Sequence, residues 1–184
     1  MIGVKLPGPA SRFFGHASAL LLAAMLAGCS GANQEDVTCP SSAIAPDLDA
    51  VAIFVPGASP NAAGSAGVEA AGKIFNVSQK CEREKGGILV NTLITINAVR
   101  LEPRIQRAEF VYFVAVVDSA RNILNEQRFT LGAQFTSQDY RQYGEQISVH
   151  LPLEHVSSGD GYAIVVGFQL TPEQLEFNRT HKPS

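Results

Sequence analysis

Three cysteines in the chain point to two different kinds of chemistry. Cys29 ends the stretch LAGC at residues 26–29, whereas Cys39 and Cys81 lie farther along the chain. A cysteine that follows a leucine and two small residues is typical of bacterial lipoproteins, in which the sulfur receives a diacylglyceryl group and the leader is cleaved just before it. We therefore predict that Cys29 is a lipidation site.

The residues before Cys29 have the order of a bacterial signal peptide. Lys5 and Arg12 supply positive charge, and residues 17–27 (ASALLLAAMLA) form an apolar run. This run is too short to span a bilayer as a helix, for which about 20 apolar residues are needed. We expect residues 1–28 to be the signal peptide. Because more than one acyl chain holds a protein stably on a membrane, the lipid would be a firm anchor.

The polar segment at residues 29–38 is expected to be a lipidated tether between the membrane and a folded domain. Ser30 follows the predicted lipidation site. In enteric bacteria an aspartate at this position retains a lipoprotein in the inner membrane, so Ser30 favours the outer membrane. The sequence therefore predicts a protein of the cell envelope that is lipid-anchored and faces the periplasm.

If Cys29 carries lipid, Cys39 and Cys81 remain as a possible disulfide pair in a compartment where disulfides persist. A period-two pattern places Phe75, Val77 and Cys81 on one side of a strand, so we expect all three to face the core. A bridge between Cys39 and Cys81 would stabilise the fold by about 4 kcal/mol in the chain-entropy model. Two unrelated buried thiols are the alternative, which the sequence leaves open.

The charge of the chain argues against a nucleic-acid partner. The formal net charge is −3, and loss of residues 1–28 with Lys5 and Arg12 would make the mature chain more acidic. No basic patch or stripe appears, and such a patch is the usual mark of nucleic-acid binding.

The histidines do not converge on a metal or catalytic site. His150 and His155 are five residues apart, so on an extended strand they would point to opposite faces. His181 falls in a tail at residues 180–184. Since a metal site needs ligands that converge on one point, we predict no metal, no cofactor and no catalytic residue, and hence no enzymatic activity.

Alternating apolar residues predict an all-β domain over residues 39–179. The expected strands lie near residues 51–55, 73–81, 88–99, 110–117, 123–135, 145–153 and 162–168. About seven strands separated by turns favour an antiparallel β-sandwich of immunoglobulin-like or related type. The Gly- and Ala-rich residues 56–72 are expected to be a flexible loop. Tyr112 is expected in the core, where its hydroxyl needs a hydrogen-bond partner.

A short helix is predicted at the end of the domain. Thr171 can cap it, Pro172 suits its first turn, and Gln174 completes a capping box. We expect this helix to lid the open end of the sandwich through Leu175 and Phe177. A docking element for a partner is the alternative.

Two segments, AEFVYFVAVVDSARNILNEQRF at residues 108–129 and VVGFQLTPEQLEFNR at residues 165–179, resemble a family of uncharacterised envelope lipoproteins of Gram-negative bacteria. The similar features also include Cys29, Cys39-Pro40, the stretch FVPG and Cys81. The chain departs from the family at Val55, where arginine is frequent, and at RLEPRIQR, which replaces a glycine–proline turn. The resemblance implies an envelope lipoprotein with no established activity and no catalytic residues.

Two functions follow from these patterns. The first is a lipid-anchored, non-enzymatic interaction module that binds an envelope protein partner, with exposed sheet edges as the place where a partner strand could add. The second is a periplasmic carrier of a small apolar ligand or lipid, which would need an apolar cavity between the sheets or under the Gly- and Ala-rich loop.

Overall fold

A computed structural model of the chain describes residues 37–58, 67–152 and 159–181, which form eight strands and one helix. The elements are β1 (Ser41–Ile44), β2 (Ala50–Phe54), β3 (Val68–Glu84), β4 (Gly87–Arg100), β5 (Arg107–Asp118), β6 (Ile123–Gln134), β7 (Tyr140–Pro152), β8 (Tyr162–Phe168) and α1 (Pro172–Thr180). The predicted signal peptide and Cys29 lie outside the described residues. The predicted mostly-β composition with one short helix is confirmed.

The strands form two four-stranded sheets. The first sheet has the order β1-β8-β5-β6 and the second has the order β2-β3-β4-β7. Neighbouring strands are antiparallel except β1 and β8, which pair in parallel. The eighth strand, β1, was not expected because its four residues are too few for a period-two pattern to appear.

Side chains from both sheets meet in one hydrophobic core, as in a β-sandwich. Phe110 and Phe168 enter it from the first sheet, while Ile74, Ile94 and Ile96 enter it from the second, and all five are at most 2% exposed. The alternation predicted for β4 is confirmed, because its even-numbered residues face this core. Removal of this apolar surface from water is the main favourable contribution to folding.

The prediction that Phe75 faces the core is wrong. The pairing of β3 with β4 shifts register between Ile74 and Asn76, and Phe75 is 66% exposed at this bulge. A β-bulge inserts one extra residue into a strand, so the side that faces inward changes from even-numbered to odd-numbered residues. Val77 and Cys81, which follow the bulge, are partly buried against the core as predicted.

Part of the segment expected to be a flexible loop is regular strand. Residues 68–72 of the Gly- and Ala-rich stretch belong to β3, while residues 59–66 lie outside the described residues. A Cβ atom at Gly72 would lie 3.1 to 3.2 Å from atoms of Val51, Phe110 and Phe168. The absence of a side chain at Gly72 therefore reflects close approach of the two sheets and not flexibility.

Candidate functional site

The structure brings together the two cysteines that the sequence paired. The Sγ atoms of Cys39 and Cys81 are 2.06 Å apart and their Cα atoms are 5.6 Å apart. The bond joins the segment just before β1 to β3 and closes a loop over a sequence separation of 42 residues. A loop of this size corresponds to about 4 kcal/mol of stabilisation in the chain-entropy model.

The described residues do not bring the histidines into a metal or catalytic cluster. Among them, no group of three or more His, Cys, Asp or Glu side chains could hold a metal ion. His150 Nε2 is 4.0 Å from a carboxylate oxygen of Glu84 on the surface, and the His181 ring stacks on Phe177 at 4.4 Å between centroids. His155 lies outside the described residues. The absence of enzymatic activity stays a prediction.

Tyr112 has the structural role that the sequence predicted. Its side chain is fully buried in the core, and its hydroxyl donates a hydrogen bond to Glu145 Oε2 at 3.1 Å. Burial, together with the neighbouring carboxylate of Glu145, raises the pKa of Tyr112 well above its usual value. Because Tyr112 lies on β5 and Glu145 on β7, this bond joins the two sheets.

The helix α1 begins with the predicted capping box. Thr171 Oγ1 accepts a hydrogen bond from the Gln174 N–H at 3.2 Å, and Gln174 Oε1 accepts one from the Thr171 N–H at 2.9 Å. No residue of the helix is buried. Instead of closing the end of the core, the helix lies along β2, where Phe177 meets Phe54 edge to face at 5.2 Å.

The helix also satisfies the backbone of β2 at the edge of the second sheet. The Asp49 carbonyl accepts from the Ile74 N–H of β3, so the carbonyls of the residues on either side of Asp49 point away from β3. Three carbonyls that point to this free edge have a donor: Leu48 O accepts from Phe168 N–H at 2.8 Å, Ala50 O from Asn178 Nδ2 at 2.7 Å, and Ala52 O from Gln174 Nε2 at 2.7 Å. These bonds occupy carbonyls to which a further strand would otherwise bond.

One of the two edge strands of the first sheet, β6, is arranged differently. The Phe135 N–H donates toward Gln106 on the β5 side, while the Gln134 N–H and carbonyl both bond the hydroxyl of Tyr143 on the other side. Because these directions alternate along a regular strand, every second residue directs its N–H and C=O away from β5. These residues are Glu126, Arg128, Thr130 and Gly132, and we call their backbone groups the open β6 edge.

The open β6 edge is accessible. Glu126, Arg128, Thr130 and Gly132 are all exposed, and within the described residues their backbone groups take part in no hydrogen bond outside the sheet. The pairing of β6 with β5 is regular from Gln134 to Asn125, with a register shift only beyond Asn125. Natural edge strands are often blocked by charged side chains, especially Lys, or by Pro. The sequence of β6, ILNEQRFTLGAQ, contains no Lys or Pro, and its charged residues are Glu126 and Arg128.

Exposed apolar residues lie at the start of β6. Ile123 is 61% exposed and Leu124 is 54% exposed. Further along the outer face of the strand, Arg128 Nε is 3.1 Å from Glu126 Oε1. Sequence reasoning missed this edge because an alternating pattern identifies which side of a strand is buried but not which strand lies at the edge of its sheet.

A second surface feature is an apolar groove between α1 and the outer face of the second sheet. It has a volume of about 510 Å³, and Ala71, Val99, Tyr140 and Phe177 are among its lining residues. Lys73 also lines it, and its amino group is 4.0 Å from Asp49. The apolar cavity expected for a carrier was placed between the sheets or under the Gly- and Ala-rich residues 56–72. This groove lies outside the sheets, and Ala71 and Gly72 of that stretch are among its lining residues.

Comparison of the chain with protein-family models, with curated proteins and with solved structures found no match. Among the described residues, no helix is both long and apolar enough to cross a membrane.

Proposed function

We propose that the protein is a lipid-anchored lipoprotein of the bacterial cell envelope that binds a protein partner by strand addition at the open β6 edge. One observation carries the proposal: alternate backbone groups of residues 126–132 point into solvent on a regular strand without Lys or Pro. In strand addition, main-chain hydrogen bonds supply affinity and the alternate side chains supply specificity.

The anchor in this proposal rests on the sequence LAGC at residues 26–29 and on the charged and apolar pattern before it. Cys29 would carry the lipid and hold the domain on the periplasmic side of a membrane, with the outer membrane favoured by Ser30. The bonding distance between Cys39 and Cys81 supports this placement, since disulfides persist in the periplasm. The resemblance to envelope lipoproteins belongs to the same proposal.

The finer fold assignment is also proposed. An immunoglobulin-related sandwich is supported by two packed sheets with alternating core residues. The connection β2-β3-β4, in which three consecutive strands are neighbours in one sheet, indicates a related topology and not the immunoglobulin order itself.

A carrier of a small apolar ligand or lipid is the second candidate. The observation in its favour is the apolar groove beside α1, whose volume of about 510 Å³ suits a small ligand. Unlike the interaction module, a carrier would be sensitive to substitutions at Ala71 or Val99 and indifferent to changes at the open β6 edge.

Site-specific photocrosslinking in intact cells tests the leading proposal. A photoreactive amino acid at Arg128 is expected to yield a crosslinked protein adduct, and the same group at the exposed helix position Glu176 is not. Thr130→Pro should abolish the adduct, because it removes an N–H of the open β6 edge without removing a hydrogen bond to β5. Thr130→Ala is the matched control and should retain it.

Two results would contradict this function. An adduct that persists in a folded Thr130→Pro protein would exclude strand addition, and crosslinks confined to the groove beside α1 would favour the carrier. The anchor is tested separately by mass spectrometry of the amino-terminal peptide and by Cys29→Ala, which should move the protein out of the membrane fraction.

A further inference from the structure

The charges on β6 point to one particular partner for the open β6 edge. We propose that a second copy of this chain pairs with it, β6 against β6 and antiparallel, about a two-fold axis at Gln127. The proposal rests on the function proposed above and names the partner of the same site. The first sheet of one copy and the first sheet of the other would then become one continuous eight-stranded sheet.

The backbone limits the possible registers. In each copy the even-numbered residues of the segment 126–132 direct their N–H and C=O groups to the open edge. Hydrogen bonds across an antiparallel pair form between residues that both point toward the partner, so even-numbered residues must lie opposite even-numbered residues. The two-fold axis therefore passes through a residue position and not between two residues.

The charges then favour one of these residue positions for the two-fold axis. Residues 125–133 contain two charged side chains, Glu126 and Arg128. An axis at Gln127 places Glu126 of each copy opposite Arg128 of the other. An axis at Glu126 would oppose two carboxylates, and an axis at Arg128 would oppose two guanidinium groups. Opposite charges on facing positions stabilise a strand pair, whereas like charges destabilise it.

The side chains of this register are positioned for contact. Glu126 and Arg128 lie on the outer face of the sheet and are already 3.1 Å apart within one copy, so pairing would gather four alternating charges. Leu124, which is 54% exposed, would lie near Thr130 of the second copy. The pairing thus uses the free backbone groups, the charge pattern and an exposed apolar residue together.

Cysteine crosslinking tests the register directly. The experiment uses the full chain with Cys29→Ala, which leaves Cys39 and Cys81 as the remaining native cysteines, and adds Gln127→Cys. On the axis, the two copies of residue 127 form a non-hydrogen-bonded pair with Cα atoms about 4.5 Å apart, a distance that a disulfide can bridge. Mild oxidation of the concentrated protein should give a disulfide-linked dimer.

Asn125→Cys is the matched control. In the proposed register Asn125 lies opposite Phe129 of the second copy, so the two copies of residue 125 are about 13 Å apart along the strands, too far for a disulfide. We expect at least roughly tenfold more linked dimer from Gln127→Cys than from Asn125→Cys at equal concentration. Equal yields, or a larger yield from Asn125→Cys, would overturn the proposal.

Charge reversal gives a second readout from folded protein. Glu126→Arg alone and Arg128→Glu alone each place like charges opposite one another, and each should lower the yield of the Gln127→Cys dimer. The double reversal restores opposite charges and should restore the yield. A double variant as poor as the single variants would contradict the register.

The two proposals can fail separately. If photocrosslinking at Arg128 captures a different protein and Gln127→Cys forms no dimer, self-pairing is wrong while strand addition stands. If neither experiment gives an adduct, both proposals are wrong.

Discussion

The strands β2 and β6 both have backbone groups that point away from their sheets, but these groups differ in whether they have hydrogen-bond partners. At β2, side-chain amides from α1 occupy the carbonyls of Ala50 and Ala52. At β6, the equivalent groups between Glu126 and Gly132 face solvent. An exposed edge is an association hazard that proteins usually block. The difference fits the proposed function, in which β2 is protected for stability and the open β6 edge binds a partner.

The same contrast extends to how the two sides of the domain are held together. The β1 and β2 side has the bond between Cys39 and Cys81 as well as the helix α1. Toward β6 and β7, the hydroxyl of Tyr112 reaches across the interior to Glu145. We expect substitutions on the β1 and β2 side to have the larger effects on stability.

Removal of the disulfide should have the largest effect on stability. The double substitution Cys39→Ala with Cys81→Ala is expected to lower the free energy of unfolding by roughly 2–5 kcal/mol, because the unfolded chain regains the entropy of the closed loop. Urea denaturation of the variant beside the oxidised and reduced wild type would measure this. An unchanged midpoint in both comparisons would show that the bond does not support the β1 and β2 side.

Asn178→Ala should open the edge that the wild type keeps closed. It removes the donor to the carbonyls of Asp47 and Ala50, which costs roughly 1–3 kcal/mol. The exposed β2 edge should also make the variant associate beyond the wild type at equal concentration, which light scattering would detect. Glu176→Ala, at an exposed position of the same helix, is the control and should do neither. An Asn178→Ala protein that associates no further than the wild type would show that the helix is not what protects β2.

Tyr112→Phe should have a smaller effect, about 1 kcal/mol, because it removes one hydrogen bond between the sheets. The pKa of Tyr112 is raised on folding, so the folded state holds the proton more tightly than the unfolded state does. The stabilisation is complete below the usual tyrosine pKa of about 10 and is lost as pH rises above it.

Chemical denaturation between pH 7 and pH 11 would measure this dependence. The wild type and the control Tyr140→Phe, whose tyrosine is exposed, should lose stability above pH 10. Tyr112→Phe should lose less. Identical profiles for all three proteins would show that Tyr112 is not responsible.

The sequence predicted the local features of the fold better than the non-local ones. Alternation identified the buried side of β4, and the spacing of Thr171 and Gln174 identified the start of α1, because both depend on neighbours in the chain. The outward position of Phe75 was missed because a period-two pattern assumes unbroken pairing. The contact of Asn178 with Ala50 joins residues 128 positions apart, which no local pattern reports.

The candidate site was the least predictable part of the protein. The sequence paired Cys39 with Cys81, whose sulfur atoms the structure places at bonding distance. The open β6 edge, in contrast, depends on strand order and on which way each backbone group points. Neither property can be read from residue type. The sequence alone therefore did not single out Glu126 and Arg128 before the edge was known.

Residue-resolved amide hydrogen exchange of dilute protein tests the openness of the β6 edge most directly. The N–H groups of Glu126, Arg128, Thr130 and Gly132 should exchange rapidly, while those of the intervening odd-numbered residues, bonded to β5, should be protected. The Gln134 N–H, which donates to Tyr143, provides an internal reference for a protected edge amide. Protection of all the amides between Glu126 and Gly132 in the dilute monomer would show that the edge is covered, and would contradict binding by strand addition.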